Sequence, residues 1–162
     1  MKNVSTEIKW ALIFIAMSLV WMVLERVAGL HDVHIDKHMI YTNFIALPAI
    51  AVYVLALLEK RRKDFGGVMT YKQGFISGLI ITAIVTVFSP LTQIITSLII
   101  TPHFFTNAIA YAVEHGKVTR EQAEKYFSLI SYIVQGLIGA PVMGIITTAI
   151  VAIFTVKKAK PA

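Results

Sequence analysis

Four long apolar stretches constrain the fold of this 162-residue chain more than any other feature. They cover residues 10–24, 39–58, 73–102 and 126–156. The hydrocarbon core of a bilayer is about 30 Å thick, so a helix needs roughly 20 apolar residues to cross it. The last three stretches reach that length alone, and the first reaches it if its helix continues to Leu30. The predicted fold is an all-α integral membrane protein, a four-transmembrane-helix bundle spanning at about residues 8–30, 39–59, 72–101 and 126–156.

Composition agrees with a single membrane domain over residues 1–162. Hydrophobic residues make up 57% of the chain, against a usual share of about 45–50%. There is no cysteine, which excludes disulfides and thiolate chemistry. No catalytic Ser-His-Asp order, phosphate-binding glycine loop or dinucleotide fingerprint is present. The sequence therefore favours a protein that is not an enzyme.

The basic residues are distributed unevenly between the segments that connect the spans. Ten of the 15 Lys and Arg residues lie in the N-terminal segment, the 60–72 loop and the C-terminal segment. Four lie in the other two loops, and Arg26 lies in the first span. This bias predicts that both termini and the 60–72 loop are cytoplasmic. The excess of basic residues then serves to orient the protein in the membrane and to attract anionic lipid headgroups. It does not indicate binding to nucleic acid.

Residues 103–115 are predicted to form a short amphipathic helix between the third and fourth spans, lying on the outer surface. Thr101 and Pro102 are expected to start this helix, and Gly116 to end it. After it, Thr119 and Gln122 match a capping box. That box is expected to open a fourth helix that continues without a break to Lys157.

Small residues recur every four positions in the third and fourth spans. Such rows let membrane helices approach closely. They serve either packing within one bundle or the interface of a homodimer, and both interpretations stay open. The rows are Gly74, Gly78, Thr82 and Thr86, and Gly136, Ala140, Gly144, Thr148 and Ala152.

A cluster of imidazole and carboxylate groups follows the first span. Together these groups suit zinc or another divalent first-row metal ion. His103 and His115 of the later outer loop are candidates to complete such a site. The other interpretations are an ordinary polar loop and a pH sensor based on histidine protonation. The candidate metal ligands are His31, His34, His38, Asp32 and Asp36.

Charged and amide groups within the spans form a second set of candidates. Glu25 and Arg26 are costly near lipid, so each must reach the membrane surface or find a partner. Glu25 has the shorter side chain and is expected to face another span. Its predicted partner is a hydrogen-bonding or ionic group of the second, third or fourth span, with Gln93 or Gln135 favoured. Its role is either a structural hydrogen bond or ion pair, or the handling of protons or ions. The buried polar candidates are Glu25, Arg26, Gln93 and Gln135.

Several stretches together resemble a bacterial membrane protein family catalogued as domain of unknown function 4199. They are WMVLER at 21–26, GLHD at 29–32, TYKQGF at 70–75, SPLT at 89–92, TPHFF at 101–105 and GIITTA at 144–149. The resemblance covers nearly the whole chain and implies a small four-span protein. It implies no activity and no site residue.

Three functions remain open on the sequence. The first is a non-enzymatic binding or accessory protein of the bacterial inner membrane, in contact with lipid and with an unidentified protein partner or a second copy. The second is an ion or small-solute transporter that uses Glu25 and the polar residues of the outer half of the bundle. The third is a membrane-embedded metal-dependent enzyme.

Overall fold

The computed structural model describes residues 3–157, and helices account for nearly all of this part of the chain. Within it, a single antiparallel bridge joins Met69 to Lys157, and no strand is formed. A short 3₁₀ turn, Thr42–Ile45, precedes α3, and a π-helical turn, Thr96–Ile100, follows α4. The α-helices are α1 (Ser5–Val27), α2 (Ile35–Tyr41), α3 (Ala46–Asp64), α4 (Tyr71–Ile95), α5 (Phe104–Glu114), α6 (Arg120–Tyr126) and α7 (Leu129–Thr155).

Four helical stretches within the described range are long and apolar enough to cross a membrane. They cover Ser5–Val27, Ile35–Asp64, Tyr71–Ile100 and Leu129–Thr155. The second runs from α2 through the 3₁₀ turn into α3, and the fourth is α7 alone. The chain is an all-helical membrane protein, as the sequence predicts.

The start of the fourth long helix differs from the prediction. The capping box is present, because the Thr119 hydroxyl accepts from the Gln122 backbone while the Gln122 side chain accepts from the Thr119 N–H. It opens the short helix α6, however, and not the long helix. The backbone leaves the helical conformation near Phe127, and the Ser128 hydroxyl then accepts from Ser131 N to start α7. A second cap therefore divides the segment that was expected to be continuous.

The start of α5 also differs from the prediction in detail. The helix begins at Phe104 with His103 as its N-cap residue. Thr101 does not cap it, because the Thr101 hydroxyl donates to Thr96 O at 3.1 Å and closes the preceding π-helical turn. Within α5, Phe104, Ala108 and Ala112 are buried.

Helices α4 and α7 pack closely through their rows of small residues. A Cβ atom added to Gly78 would lie 2.4 Å from Thr148 Cγ2, and one added to Gly144 would lie 2.4 Å from Thr82 Cγ2. Each threonine thus occupies the space above a glycine of the other helix. The predicted rows serve packing within the chain here, and the homodimer remains a prediction.

The described parts of the three segments that are rich in Lys and Arg lie at one end of the molecule. Lys60 Nζ donates to Asn3 O at 2.7 Å, which joins the end of α3 to the N-terminal segment. Met69 and Lys157 exchange two backbone hydrogen bonds of 3.0 Å, which joins the loop before α4 to the end of α7. The N-terminal segment, this loop and the end of α7 therefore lie at the same end of the molecule.

Candidate metal site

Helix α1 ends in a tight turn that reverses the direction of the chain. Leu30 N donates to Glu25 O and Gly29 N donates to Arg26 O, both at 3.0 Å, which is the Schellman arrangement of a helix end. Gly29 has a φ angle of +75°, and a Cβ atom there would lie 2.7 Å from Val33 Cγ2. The position requires glycine because of both its φ angle and this close approach. As a result, His31 lies beside Glu25.

Two imidazole rings converge on one carboxylate oxygen beyond this turn. His31 Nε2 lies 3.0 Å from Glu25 Oε2, and His38 Nδ1 lies 3.6 Å from the same atom. One ligand atom from each of the three residues lies within 4.8 Å of the others. Zinc bonds of about 2.0–2.1 Å place neighbouring ligand atoms of a tetrahedral site roughly 3.3 Å apart. The three side chains are therefore spaced to bind one metal ion with small side-chain adjustments.

Two of the three side chains are shielded from solvent, and one imidazole keeps an unused nitrogen towards the carboxylate. Glu25 is 2% exposed and His31 is 6% exposed, whereas the His38 side chain is 21% exposed. Trp21 Nε1 donates to Glu25 Oε1, which leaves Glu25 Oε2 facing the imidazoles. Within residues 3–157, His38 Nδ1, which faces Glu25 Oε2, has no hydrogen-bond partner. Buried polar atoms in folded proteins normally have partners, so this nitrogen is available to a ligand.

Helix α5, which comes from a later part of the chain, packs against this cluster. The Phe104 ring packs against both imidazoles, with centroid separations of 5.1 Å to His31 and 5.0 Å to His38. Asn107 Nδ2 donates to His31 O at 2.9 Å and fixes the backbone of the turn. The rings are thus held in place by contacts that do not depend on a bound ion.

An apolar groove of about 390 Å³ lies beside Glu25. Its walls come from α1, from the turn after it and from the start of the second long helix. They include Trp21, Leu24, Tyr41 and Phe44. The exposed lining of the groove is apolar, so Glu25 adjoins it without presenting its buried carboxylate.

The structure divides the predicted His/Asp cluster into two parts. His31 and His38 join Glu25, whereas Asp32, His34 and Asp36 are exposed and outside the group. Asp32 Oδ1 instead accepts from Val33 N. The segment does not form one continuous helix, because α2 begins only at Ile35, after the turn that holds His31. The two other histidines, His103 and His115, are exposed as well.

Glu25 does not pair with a glutamine, contrary to the expectation from the sequence. Gln93 Nε2 donates to Ser97 Oγ at 2.8 Å, and Gln135 Nε2 donates to Ser131 Oγ at 3.0 Å. Each amide therefore bonds one turn along its own helix. Gln93 is half-buried and Gln135 is exposed. Arg26 is exposed as well, and Arg26 Nη1 donates to Ile100 O at the end of the third long helix.

Comparison with known proteins places the whole cluster within one family domain. The family model described as "Protein of unknown function (DUF4199)" matches residues 9–157. The chain belongs to this family. The match confirms the resemblance drawn from the sequence, and Glu25, His31 and His38 all lie inside the matched range of the DUF4199 domain. No curated protein and no solved structure matches the chain.

Proposed function

We propose that this protein is a non-enzymatic membrane protein that binds a divalent metal ion, with zinc the best match to its ligands. The observation that carries the proposal is the convergence of Glu25, His31 and His38 on one point. One carboxylate and two imidazoles are a recurrent donor set for zinc and other first-row ions. A bound ion would join the end of α1 to α2 and neutralise a carboxylate that is costly near lipid.

The proposal includes a specific arrangement in the membrane. The protein is a four-helix bundle of the bacterial inner membrane with both termini on the cytoplasmic side, and the distribution of Lys and Arg supports this orientation. The metal site then lies at the outer end, covered by α5 as a short amphipathic helix. Phe104 and Ala108 on the buried face of α5 support that placement.

The test is the zinc content of purified protein after chelation and re-equilibration with zinc. The parent is expected to retain about one ion per chain. His31→Ala and His38→Ala are expected to lose it, because each removes a ligand. His34→Ala is the matched control, since His34 lies in the same segment but outside the cluster. A parent without zinc, or a His34→Ala variant that loses as much as His31→Ala, would contradict the proposal.

A metal-dependent enzyme is the second candidate, favoured by two observations. Three protein ligands leave a tetrahedral ion with one open position, as in catalytic zinc sites. The groove beside Glu25 adds space for a substrate of about 390 Å³. Cobalt in place of zinc distinguishes the two functions. If adding acetohydroxamate changes the visible spectrum of the cobalt protein, the ion accepts an external ligand. An unchanged spectrum counts against the enzyme.

A further inference from the structure

A separate pocket of about 540 Å³ lies at the opposite end of the bundle, where α1, α3 and the end of α7 meet. One part of its wall is apolar and comes from Trp10, Leu55 and Leu58. The other part is basic and comes from Arg61, Arg62 and Lys157. The pocket shares no lining residue with the proposed metal site.

The pocket carries a net positive charge because its acidic residue is already paired. Glu59 contacts Lys63 Nζ at 2.6 Å and Lys9 Nζ at 2.8 Å, and it accepts from Trp10 Nε1 at 2.8 Å. By contrast, the side chains of Arg62 and Lys157 have no hydrogen bond or ion pair with any other described residue. The pocket therefore has cations available for an anionic ligand.

Contacts between the helices hold the backbone at Lys157 and the guanidinium of Arg61. The two backbone hydrogen bonds between Met69 and Lys157 fix the end of α7, and Met69 is fully buried. Arg61 Nη1 donates to Thr155 O at 2.9 Å and joins α3 to the same helix end. Among residues 3–157, this bond engages one of the five N–H donors of the guanidinium. Arg61, Arg62 and Lys157 thus line one pocket whose backbone frame is fixed.

The order of groups along α3 matches the order of groups in a lipid. Leu55, Leu58 and Arg62 follow at i, i+3 and i+7, so they lie on one face of the helix. At 1.5 Å per residue, Arg62 lies about 10 Å along the axis from Leu55. Leu55 is 51% exposed, and it belongs to a helix long enough to cross the membrane. A ligand of this site has an anionic head and a hydrocarbon tail.

We propose that this pocket binds one anionic phospholipid from the surrounding bilayer. The phosphate contacts Arg62 and Lys157, with Arg61 beside them, and an acyl chain lies along Leu55, Leu58 and Trp10. General attraction of a basic surface to anionic lipid would involve every cation at this end of the molecule. A specific binding site instead depends on the cations that line the pocket.

The test is native mass spectrometry of delipidated protein in detergent with phosphatidylglycerol or phosphatidylcholine of the same acyl chains. The parent is expected to prefer phosphatidylglycerol. Arg62→Gln and Lys157→Gln are each expected to weaken that binding roughly fivefold, the usual effect of one cation near a phosphate. Lys72→Gln is the matched control, because Lys72 is exposed at the same end but does not line the pocket. It is expected to bind as the parent does.

Each of three other outcomes would overturn the proposal. Equal binding of the two lipids would show that the phosphate charge is not recognised. Equal losses in Lys72→Gln and Lys157→Gln would show general surface attraction. Displacement of phosphatidylglycerol by millimolar inorganic phosphate would show a site for a soluble anion.

The melting temperatures of the lipid-free Arg62→Gln and Lys157→Gln variants should match that of the parent, since neither the Arg62 nor the Lys157 side chain contacts a described residue through a polar bond. If the melting temperatures fall, a third variant, Leu55→Gln, decides the question. It removes the acyl contact and keeps the cations, and it must weaken phosphatidylglycerol binding if the proposal is correct.

Discussion

Lys60 is a charged residue in an apolar protein, and its surroundings explain how it is accommodated. It is 3% exposed, and Lys60 Nζ contacts Glu7 Oε2 at 2.9 Å and Asp64 Oδ2 at 2.7 Å. The third ammonium donor reaches Asn3 O. The other carboxylate oxygen of Glu7 accepts from Ser77 Oγ at 2.8 Å. Every donor of the ammonium group is thus used, and the network joins α1, α3 and α4.

Replacing Lys60 by methionine is expected to destabilise the protein by about 3–5 kcal/mol, because Glu7 would keep a buried charge without its partner. Lys63→Met is the matched control, since it removes the same charge from a side chain that is 57% exposed. Exposed ion pairs contribute only about 0–1 kcal/mol. Thermal unfolding in detergent measures both. Equal melting temperatures for the two variants would mean that the Glu7–Lys60 pair contributes no more than a surface pair.

At the level of helices, the close contact of α4 with α7 depends on how firmly the Thr82 side chain is held in place. Thr82 Oγ1 donates to Gly78 O at 2.9 Å and lies 2.8 Å from the Tyr53 hydroxyl. These two bonds hold the side chain against Gly144 of the facing helix. Thr82 therefore cannot rotate away from an added methyl group without losing a buried hydrogen bond. Membrane helices depend on such close packing because lipid supplies little hydrophobic drive between them.

Gly144→Ala is consequently expected to destabilise the bundle by about 1–3 kcal/mol through overpacking. Gly139→Ala, in the same helix, is the control, because a Cβ atom there would meet no atom within 4 Å. Alanine is the better helix former by roughly 0.5–1 kcal/mol, so this control should keep or raise the melting temperature. A Gly144→Ala variant as stable as Gly139→Ala would show that the two helices can separate without cost.

For the whole molecule, the sequence predicts what depends on local pattern and misses what depends on distant contacts. Hydropathy predicts the four long helices. The prediction of metal ligands in the His31–His38 segment stays a prediction, and two of its histidines lie beside Glu25. The position of Glu25 beside them is not predicted, because it depends on the reversal of the chain after Gly29. Glu7 and Lys60 meet across 53 positions, and no periodicity within either helix indicates that pair.

Orientation in the membrane is the remaining property of the whole molecule, and the absence of cysteine makes it simple to test. Single cysteines at Lys63 and Lys72 mark the basic end of the molecule, and a single cysteine at Glu114 marks α5, the helix that contacts His31 through Phe104 and Asn107. All three positions are exposed. In intact cells an impermeant maleimide is expected to label only the Glu114→Cys variant, because the Lys-rich and Arg-rich end stays on the cytoplasmic side. Permeabilised cells serve as the control and should show labelling at all three positions. Labelling of Lys63→Cys and Lys72→Cys in intact cells, with Glu114→Cys protected, would invert the topology and place the Glu25–His31–His38 site on the cytoplasmic side.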